Sequence, residues 1–440
     1  MGNISDLFSQ VPLTVQKIYE YHERLKEEEE APNQGRLGAS SIGGKCERSL
    51  WYGFRGLTEE QFNGRMLRLF NRGHREENQF AEELRGIGCI VYLVNDYTQK
   101  QFEYTAIGGH FICHPDGKIL GVPEAPKKWH ILECKTAGGE ETHSKDFEKI
   151  KKLGLKEAKP TYYAQTQVEM GLANLDRALF IIVKKANDEI WSERIHFNRE
   201  EFKSYMEKAE RIIRSINVPD RLVDRPDDSR CNFCSSYDLC WGSGDVILPI
   251  IDQTCRSCCH ATPEINEGSR DPKWSCRKFN TYLSPEDQKQ KCPYHLVLPG
   301  LISFAEPVNG CQDWIEFQNN DDGKYWRHGH ELEGAIPTCW LLEHTREDLF
   351  SISEEIPFET CENLSLVDRY PPEDSYLICH RDGRHMDDLA EWKILGLPIK
   401  LSRITGTQND DKYEAIEYGK SNLIIYDKKA NHTYLWGGKE

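Results

Sequence analysis

An apolar segment that contains two opposite charges constrains this chain more than any other feature. Residues 129–137 read WHILECKTA, and the apolar residues in this run predict a buried β-strand. Alternate residues of a strand point to the same face, so Glu133 and Lys135 should project side by side. Charged side chains are rarely buried without a partner or a metal ion. Taken alone, the pair fits a salt-bridged surface strand. Together with the polar residues described below it indicates a functional site, which we expect at the edge of a sheet and not in a core.

The segments around this strand predict an α/β domain with a central mixed sheet flanked by helices. Helical periodicity predicts helices over 11–30, 61–85, 160–174 and 199–215. Alternation of apolar and polar residues predicts strands over 89–94, 101–113, 117–122, 129–135, 177–185 and 191–197. Beyond residue 300, turn signals predict hairpins around the Asp-Asp-Gly sequence at 321–323 and over 422–438.

Composition and length place the chain among globular proteins with several domains. Its 440 residues are too many for one compact core, and 38% hydrophobic with 29% charged residues is ordinary for a soluble protein. It contains no apolar run of about 18 residues, so no membrane span is predicted. The first ten residues lack the basic and apolar segments of a signal peptide. Sixteen cysteines without such a signal indicate a reducing, cytoplasmic setting, where cysteines often bind metals.

The net charge of −16 means that nucleic-acid binding would depend on local basic patches. Two basic runs, at 64–75 and 143–159, flank the charged strand in sequence, and either can neutralise phosphates or be a solvated helix face. The candidate phosphate-binding residues are Arg65, Arg68, Arg72, Lys145, Lys151 and Lys152. Three aromatic residues can stack on single-stranded bases or pack within the protein: Trp51, Tyr52 and Phe54.

Other polar residues can complete a site with the charged strand. Asp116 stands at a predicted strand end before Gly117, where a plain Asp-Gly turn is the alternative explanation. On the second predicted helix, His74, Glu77 and Asn78 share one face by their i+3 and i+4 spacing. Two carboxylates and an imidazole can hold a divalent cation with open positions for water and phosphate. A nearby lysine can orient the water or stabilise charge at phosphorus.

In this order the residues resemble the PD-(D/E)XK nuclease superfamily, in its RecB-like branch. That family has a histidine on an early helix, a strand aspartate, and Asp/Glu-x-Lys on the adjacent strand. The matching residues here are His74, Asp116, Glu133 and Lys135. The resemblance implies a restriction-endonuclease-like core that binds Mg²⁺ or Mn²⁺. The implied ligands are His74, Asp116, Glu133 and the backbone carbonyl of Cys134, with Glu77 as a further candidate.

The family also places a catalytic glutamine on the helix that follows the charged strand, and Gln165 matches it. The family's Gln-x-x-x-Tyr pattern is broken here, because Glu169 stands where tyrosine is expected. Tyr162 and Tyr163 are near but out of register. Gln167, on a different face of the same predicted helix, is a rival for the glutamine role.

A first group of cysteines predicts a metal-bound clip on this domain. Cys231, Cys234 and Cys240 form a C-x2-C-x5-C set, and Cys46 can supply the fourth thiolate. Four cysteines suit either zinc or an iron–sulfur cluster. One cysteine before the core and three after it resembles the iron–sulfur nucleases, among them the CRISPR-adaptation exonucleases and the AddB-type helicase–nucleases. The resemblance covers roughly residues 36–242 and implies a mainly structural four-iron cluster.

A second group predicts a ribbon-like zinc site formed by Cys255, Cys258, Cys276 and Cys292. The alternative ligands are Cys259, His260 and His295, and the alternative to a metal site is a set of buried free thiols. The remaining cysteines show no ligand spacing and are predicted to lie in the core. They are Cys89, Cys113, Cys134, Cys311, Cys339, Cys361 and Cys379.

The sequence thus predicts four parts: an N-terminal helix and linker (1–35), a nuclease domain (36–245), a zinc-binding module (246–300) and an acidic, β-rich α+β domain (301–440). The acidity of the last part argues against DNA binding there and leaves a protein partner or shielding of the site as its role. The resemblance implies a metal-dependent DNA exonuclease that acts on single-stranded or resected DNA ends. It also implies a bacterial, archaeal or phage-infected cell, with work in recombination, repair, phage DNA metabolism or spacer acquisition. The alternatives are a metal-clipped scaffold that binds DNA or protein without catalysis, and a structure-specific endonuclease or RNA-directed enzyme.

Overall fold

A computed structural model describes residues 11–28, 35–58, 62–138, 145–250, 253–330 and 334–352, together with four strands between 408 and 437. The chain divides into two compact units that are discontinuous in sequence. Unit 1 comprises Met1–Lys45, Glu59–Ile213 and Ile265–Pro272, and unit 2 comprises Cys46–Thr58, Arg214–Glu264 and Lys273–Glu440. The four predicted parts stay a prediction. None of the described helices is long and apolar enough to cross a membrane.

The elements up to Arg214 follow the predicted order closely. The strands are β1 (Leu37–Gly38), β2 (Ile90–Tyr92), β3 (Tyr104–Ala106), β4 (Phe111–Cys113), β5 (Gly117–Leu120), β6 (His130–Ala137), β7 (Arg177–Lys184) and β8 (Glu189–His196). The helices are α1 (Leu13–Glu28), α2 (Ala39–Ile42), α3 (Glu47–Phe54), α4 (Gly64–Gly86), α5 (Lys145–Leu153), α6 (Leu155–Ala158), α7 (Pro160–Ala173) and α8 (Arg199–Arg214). Of these, α3 lies in unit 2.

A five-stranded mixed sheet forms the centre of unit 1, with the strand order β2-β5-β6-β7-β8. Only the pairing of β6 with β7 is parallel, and α5, α6 and α7 make the crossover between these two strands. A parallel pair requires such a crossover because the chain must return to the same end of the sheet. The predicted α/β class with a central mixed sheet is therefore confirmed.

Helices cover both faces of this sheet, and the two faces of β6 contribute to different cores. Leu132 and Cys134 pack on one face with Phe80 and Leu84 of α4. Residues of α5 to α7 pack on the other face with Ile131 and Ala137. Because successive residues of a strand alternate between faces, Glu133 and Lys135 belong to the α7 side.

The predicted strand over 101–113 is divided into β3 and β4, which belong to a separate three-stranded sheet with the order β1-β4-β3. The interruption lies at the sequence Ile107-Gly108-Gly109, where all three residues have positive φ angles of 51°, 60° and 85°. Glycine adopts such angles at little cost, and two successive glycines allow a tight turn within an otherwise alternating segment.

Helix α1 packs against α4 at a close backbone contact. A Cβ atom added to Gly64 would lie 2.2 Å from the carbonyl oxygen of Tyr19, so only glycine fits at the start of α4. The backbone N–H of Gly64 also donates a 2.7 Å hydrogen bond to the carboxylate of Glu23. This contact fixes the N-terminal end of the helix that carries His74.

Unit 2 contains small antiparallel sheets and short helices. Its further strands are β9 (Ala261–Glu264), β10 (Lys273–Cys276), β11 (Thr281–Leu283), β12 (Ala305–Gly310), β13 (Trp314–Asn319), β14 (Tyr325–Gly329), β15 (Gln408–Asn409), β16 (Tyr413–Tyr418), β17 (Asn422–Asp427) and β18 (His432–Gly437). Its further helices are α9 (Tyr237–Trp241), α10 (Thr338–Glu343) and α11 (Arg346–Ile352). The sheets have the orders β11-β10-β9, β12-β13-β14 and β15-β16-β17-β18. Both predicted hairpins are confirmed as the pairs β13–β14 and β17–β18.

A buried arginine joins α3 to the β9–β10 region of unit 2. The guanidinium of Arg55 lies 5.3 Å from the ring centroid of Trp51 and 5.2 Å from that of Trp274. It also donates hydrogen bonds of 3.4 Å to the carbonyls of Cys258 and Ala261. A buried charge is tolerated when aromatic faces and carbonyl acceptors surround it.

Candidate active site and cysteine sites

Asp116 is held against the middle of β6. It stands in the bend just before Gly117, the first residue of β5, as the sequence predicts. The backbone N–H of Cys134 donates a 2.7 Å hydrogen bond to Oδ2 of Asp116. The carboxylate is therefore fixed beside the charged strand, which a simple solvent-exposed Asp-Gly turn would not require.

Glu133 and Lys135 form an ion pair on one face of β6, as strand periodicity predicts. Glu133 is fully buried, and its Oε2 atom has no hydrogen-bond partner among the described residues. The expectation that the pair lies at the edge of the sheet was wrong, because β6 is the third of five strands. The pair projects from the centre of the sheet, toward the end at which the parallel strands β6 and β7 finish.

Gln165 of α7 connects Glu133 to a second buried carboxylate. Its Nε2 atom donates hydrogen bonds of 2.7 Å to Oε1 of Glu133 and 2.9 Å to Oε1 of Glu169. The rival Gln167 instead donates to the carbonyl of His196 and accepts a bond from the backbone N–H of Asn198. Gln165 is therefore the glutamine that contacts the charged strand.

Glu169 belongs to the site, although the sequence did not predict a role for it. It is fully buried, and its Oε2 atom has no hydrogen-bond partner among the described residues. Burial, and then repulsion from Glu133, raise the pKa of the Glu169 carboxyl well above its usual range. A signal existed, since Glu169 is the one charged residue in the sequence of α7, PTYYAQTQVEMGLA.

The same burial perturbs the other charged groups of the site. Burial raises the pKa of Asp116 to about 8, and Glu133 contributes further repulsion. Burial also disfavours the charged form of Lys135, but the neighbouring carboxylates of Glu133 and Asp116 outweigh it and raise the pKa of the ammonium. Three carboxylates and one ammonium thus share a small volume of low polarity, an arrangement common at functional sites.

A cleft of about 330 Å³ opens beside these groups, between α4 and the end of β6. Cys134 and Lys135 line it, and they contact Asp116 and Glu133 respectively. His74 and Glu77 line it from α4, 3.4 Å apart and one helical turn from each other. Among the described residues, His74 bonds to Glu77 and Asn78 and not to Asp116 or Glu133. The other lining residues are Leu69, Phe70, Gly73, Glu76, Phe80, Thr136, Tyr162 and Lys185.

The basic residues proposed for DNA binding have different surroundings. Arg72 donates to the carbonyl of Lys185, which lines the cleft, and pairs with Glu76. Lys151 is engaged in a 2.6 Å ion pair with Glu189. Exposed positions are occupied by Arg65, Arg68, Lys145 and Lys152. Arg72 therefore makes polar contacts with two residues that line the cleft, Lys185 and Glu76.

Three aromatic residues proposed as stacking platforms are instead core residues. Trp51, Tyr52 and Phe54 are at most 1% exposed, so they cannot stack on bases. The alternative, packing within the protein, is confirmed. Tyr52 lines the cavity of the first cysteine group, and burial raises the pKa of its hydroxyl.

The four cysteines of the first group surround one cavity of about 30 Å³ in unit 2: Cys46, Cys231, Cys234 and Cys240. Two arginines hold one of them. Arg48 donates to Sγ of Cys240 at 3.7 Å, and Arg221 donates to its carbonyl at 2.8 Å.

The cysteines of the second group are also neighbours. Cys255 begins a 3₁₀ turn, Cys258 directly follows it, and Cys276 ends β10. Burial raises the pKa of the Cys255 thiol to about 11, with further contributions from Cys276 and Cys292. Two alternative ligands are engaged elsewhere, since the Cys259 thiol donates to the carbonyl of Val297 and the His295 ring to that of Thr254. The third alternative, His260, is buried with Nε2 unbonded among the described residues.

The donor sets suit metals, although the side chains are not drawn into a coordination geometry. In the described ranges, no three histidine, cysteine, aspartate or glutamate side chains approach closely enough to hold an ion. The chemistry of the donors nevertheless fits. Asp116 and Glu133 offer oxygen atoms to a hard cation, one of them buried without a partner, and each cysteine group offers four sulfur atoms. The metal assignments stay predictions.

The core assignment of the other cysteines is partly correct. Cys89, Cys113 and Cys134 are buried, as predicted. Cys311 is half-buried, and the prediction is wrong for Cys339, which is exposed. Two further cysteines lie outside the described residues: Cys361 and Cys379.

Comparison with known proteins gives distant likenesses to solved structures. Neither a protein-family model nor a curated protein matches the chain. It is similar to two structures of LHK-Exo, described in one of them as an alkaline exonuclease from Laribacter hongkongensis and in the other as a complex with dAMP. Their sequence identities are 17% and 19% and their TM-scores 0.29 and 0.30, and each match covers 42% of this chain and 90% of the other. A structure of SSO0001 is 12% identical with a TM-score of 0.32, covering 52% and 96%. Likenesses this distant carry no argument for an activity.

Proposed function

We propose that this chain is a metal-dependent DNA exonuclease that hydrolyses phosphodiester bonds at DNA ends. The observation that carries the proposal is the contact between the predicted catalytic residues beside one cleft. Asp116 is bonded to the backbone of β6, Glu133 pairs with Lys135, and Gln165 donates to Glu133. Residues 17 to 49 positions from Asp116 in sequence converge here, which a set of unrelated surface charges would not do.

The carboxylates of Glu133 and Asp116 are the proposed ligands of a divalent cation. Glu133 Oε2 is buried without a hydrogen-bond partner, and Asp116 reaches the same strand, so both can act as oxygen ligands. The backbone carbonyl of Cys134, His74 and Glu77 are the further candidates. A bound Mg²⁺ or Mn²⁺ would lower the pKa of a water molecule and neutralise charge on the phosphate.

The remaining side chains position the reacting groups. Lys135 lines the cleft while bonded to Glu133, so its ammonium can donate hydrogen bonds to a phosphate oxygen that enters there. Gln165 donates to the same Oε1 atom of Glu133 that Lys135 contacts and so helps to fix the orientation of the carboxylate. The volume of about 330 Å³ suits one nucleotide-sized group, and the choice of a strand end over an internal bond rests on the family resemblance of the site residues. The choice of DNA as substrate rests on the family resemblance of the site residues.

A nuclease assay tests this function. End-labelled single- and double-stranded DNA would be incubated with Mg²⁺ or Mn²⁺, and Lys135→Met compared with wild type. Degradation by the wild type should require metal. Methionine keeps the length of the lysine side chain but removes its charge, so the rate of degradation by Lys135→Met should be lower by at least about 100-fold. Lys203→Ala, an exposed lysine of α8 outside the cleft, should cleave like wild type. Absence of cleavage by folded wild type, or full activity of Lys135→Met, would contradict the proposal.

The two cysteine groups are proposed to hold a structural four-iron cluster and a structural zinc ion respectively. The support is the shared cavity of the first group and the neighbouring thiols of the second. Anaerobically purified protein should be brown, with stoichiometric zinc. Cys46→Ser should lose the iron and its absorbance but keep the zinc, whereas Cys276→Ser should do the opposite. Colourless protein with zinc in both sites would contradict the iron–sulfur assignment. A protein partner for residues 301–440 stays a prediction.

A further inference from the structure

The mouth of the cleft carries an exposed aromatic pair for which the proposed chemistry has no use. Phe70 lines the cleft and is 41% exposed, and Leu69 beside it is 38% exposed. Phe62 is 38% exposed, and its ring packs edge-on against Phe70 with the centroids 4.9 Å apart. Contiguous exposed apolar side chains next to a polar cleft are typical of a binding surface.

The helix α4 carries both Phe70 and a polar residue of the cleft, His74. Phe70 and His74 are four residues apart on α4, so they are neighbours on the same helical face. A nucleotide joins a flat base to a phosphate through its sugar. A phosphate that reaches Lys135 from the open side would therefore leave its base, or the adjacent one, near the mouth, where Phe70 lies.

Two cations at the cleft can meet the phosphate of a bound strand. Lys135 and Lys185 both line it, and Arg72 contacts the backbone of Lys185. Burial and the charge of Arg72 lower the pKa of Lys185, so an anion bound near these two cations would relieve their repulsion. Glu76 and Glu77 line the same cleft, so it has no excess of positive charge, and the exposed aromatic pair is the feature that favours a single strand.

We infer that Phe70, supported by Phe62, stacks on a nucleobase of a single-stranded DNA end whose phosphate occupies the cleft. This inference rests on the proposed function and specifies its substrate as single-stranded DNA. In a duplex the bases are paired and stacked on one another, so the aromatic pair could reach only the terminal base. The chain therefore binds single-stranded ends more tightly than blunt duplex ends.

Fluorescence anisotropy with a labelled oligodeoxythymidine, in EDTA so that no cleavage occurs, tests the inference. Phe70→Ala should weaken binding by about 5- to 150-fold, the range expected for one base stack. Phe70→Leu keeps apolar surface without a ring and should restore only part of the affinity. Tyr97→Ala removes an aromatic residue of unit 1 that is 97% exposed and does not line the cleft, so it should bind like wild type.

An oligomer with abasic sites at its end makes the test specific for stacking. It should bind wild type more weakly than the intact oligomer, and Phe70→Ala should bind both equally. Equal affinity of wild type for intact and abasic DNA, unchanged binding by Phe70→Ala, tighter binding of blunt duplex, or no binding of single strands would each overturn the inference. Because the assay needs no cleavage, an inactive protein whose binding depends on Phe70 would refute the nuclease proposal and leave this inference standing.

Discussion

Acidification should destabilise unit 2 through His328, a buried imidazole that must be neutral in the folded chain. Its Nε2 atom accepts a 2.9 Å hydrogen bond from the backbone N–H of Val297, so its proton is on Nδ1, which donates to the carbonyl of Ile336 at 2.8 Å. A second proton on Nε2 would confront the N–H of Val297. Burial therefore lowers the pKa of His328 from 6.5 to about 4, and His330 adds repulsion.

The size of the stability loss on acidification follows from the difference between the pKa values of His328 in the folded and unfolded chain. The unfolded chain takes up a proton near pH 6.5, whereas the folded chain does so only near 4, so stability is complete above 6.5 and falls between these values. One pKa unit corresponds to about 1.4 kcal/mol, which gives a total loss of about 3 kcal/mol. Roughly 2 kcal/mol of this loss should be present at about pH 5.

Urea unfolding at about pH 8 and pH 5 measures this loss in wild type and in His328→Gln. Glutamine keeps an acceptor within reach of Val297 but cannot be protonated, so the variant is less stable at pH 8 by about 1–3 kcal/mol and loses about 2 kcal/mol less on acidification. Fluorescence of the ten tryptophans, which include Trp326 two residues away on β14, follows the unfolding. Hydrogen exchange of the Val297 amide gives an independent local readout. Equal pH dependence in both proteins would refute the reasoning.

Three further substitutions have effects that the contacts specify. Gly64→Ala should undock α1 from α4 and lower the melting temperature by several degrees. Gly73→Ala, with open space around its new Cβ, should leave the melting temperature unchanged or raise it. An unchanged melting temperature in Gly64→Ala would contradict the close contact. Arg55→Ala should lower the free energy of unfolding in urea by about 3 kcal/mol or more, because two carbonyls and two tryptophan faces lose a buried partner. A decrease of less than about 1 kcal/mol would contradict this. Gln165→Ala should reduce kcat/KM for DNA cleavage by about 10- to 150-fold, because Glu133 loses a hydrogen-bond donor. Gln167→Ala should lower stability without changing cleavage. Equal kcat/KM values for the two variants would show that cleavage does not depend on the contact between Gln165 and Glu133.

The sequence predicted those features of the candidate site that depend on local periodicity. Strand alternation placed Glu133 and Lys135 on one face, and the Asp-Gly pair placed Asp116 at a turn position beside a strand end. Both are local properties of the backbone. The position of β6 in the centre of the sheet could not be predicted in this way, because strand order depends on pairing between residues far apart in sequence.

Burial of polar residues was the second limit. Glu169 read as a departure from a family pattern, because its significance depends on Gln165 and Glu133 meeting it across the helix–sheet interface. Trp51 and Phe70 show the same difficulty for aromatic residues. Both are apolar rings on helices, yet one is fully buried and the other is exposed at the cleft, and only tertiary packing distinguishes them.

The discontinuity of unit 2 limits how its pieces can be inherited or exchanged. The ring of Phe54 lies 5.5 Å from that of Trp274, and the neighbouring Arg55 also packs on that tryptophan. A gene fragment that stops at residue 245 would therefore strip α3 of its aromatic neighbour and uncover side chains that are now at most 1% exposed. Helix α3 and the β9–β10 segment, more than 200 residues apart in sequence, have to be passed on together, so the shortest fragment that preserves both extends past Cys276.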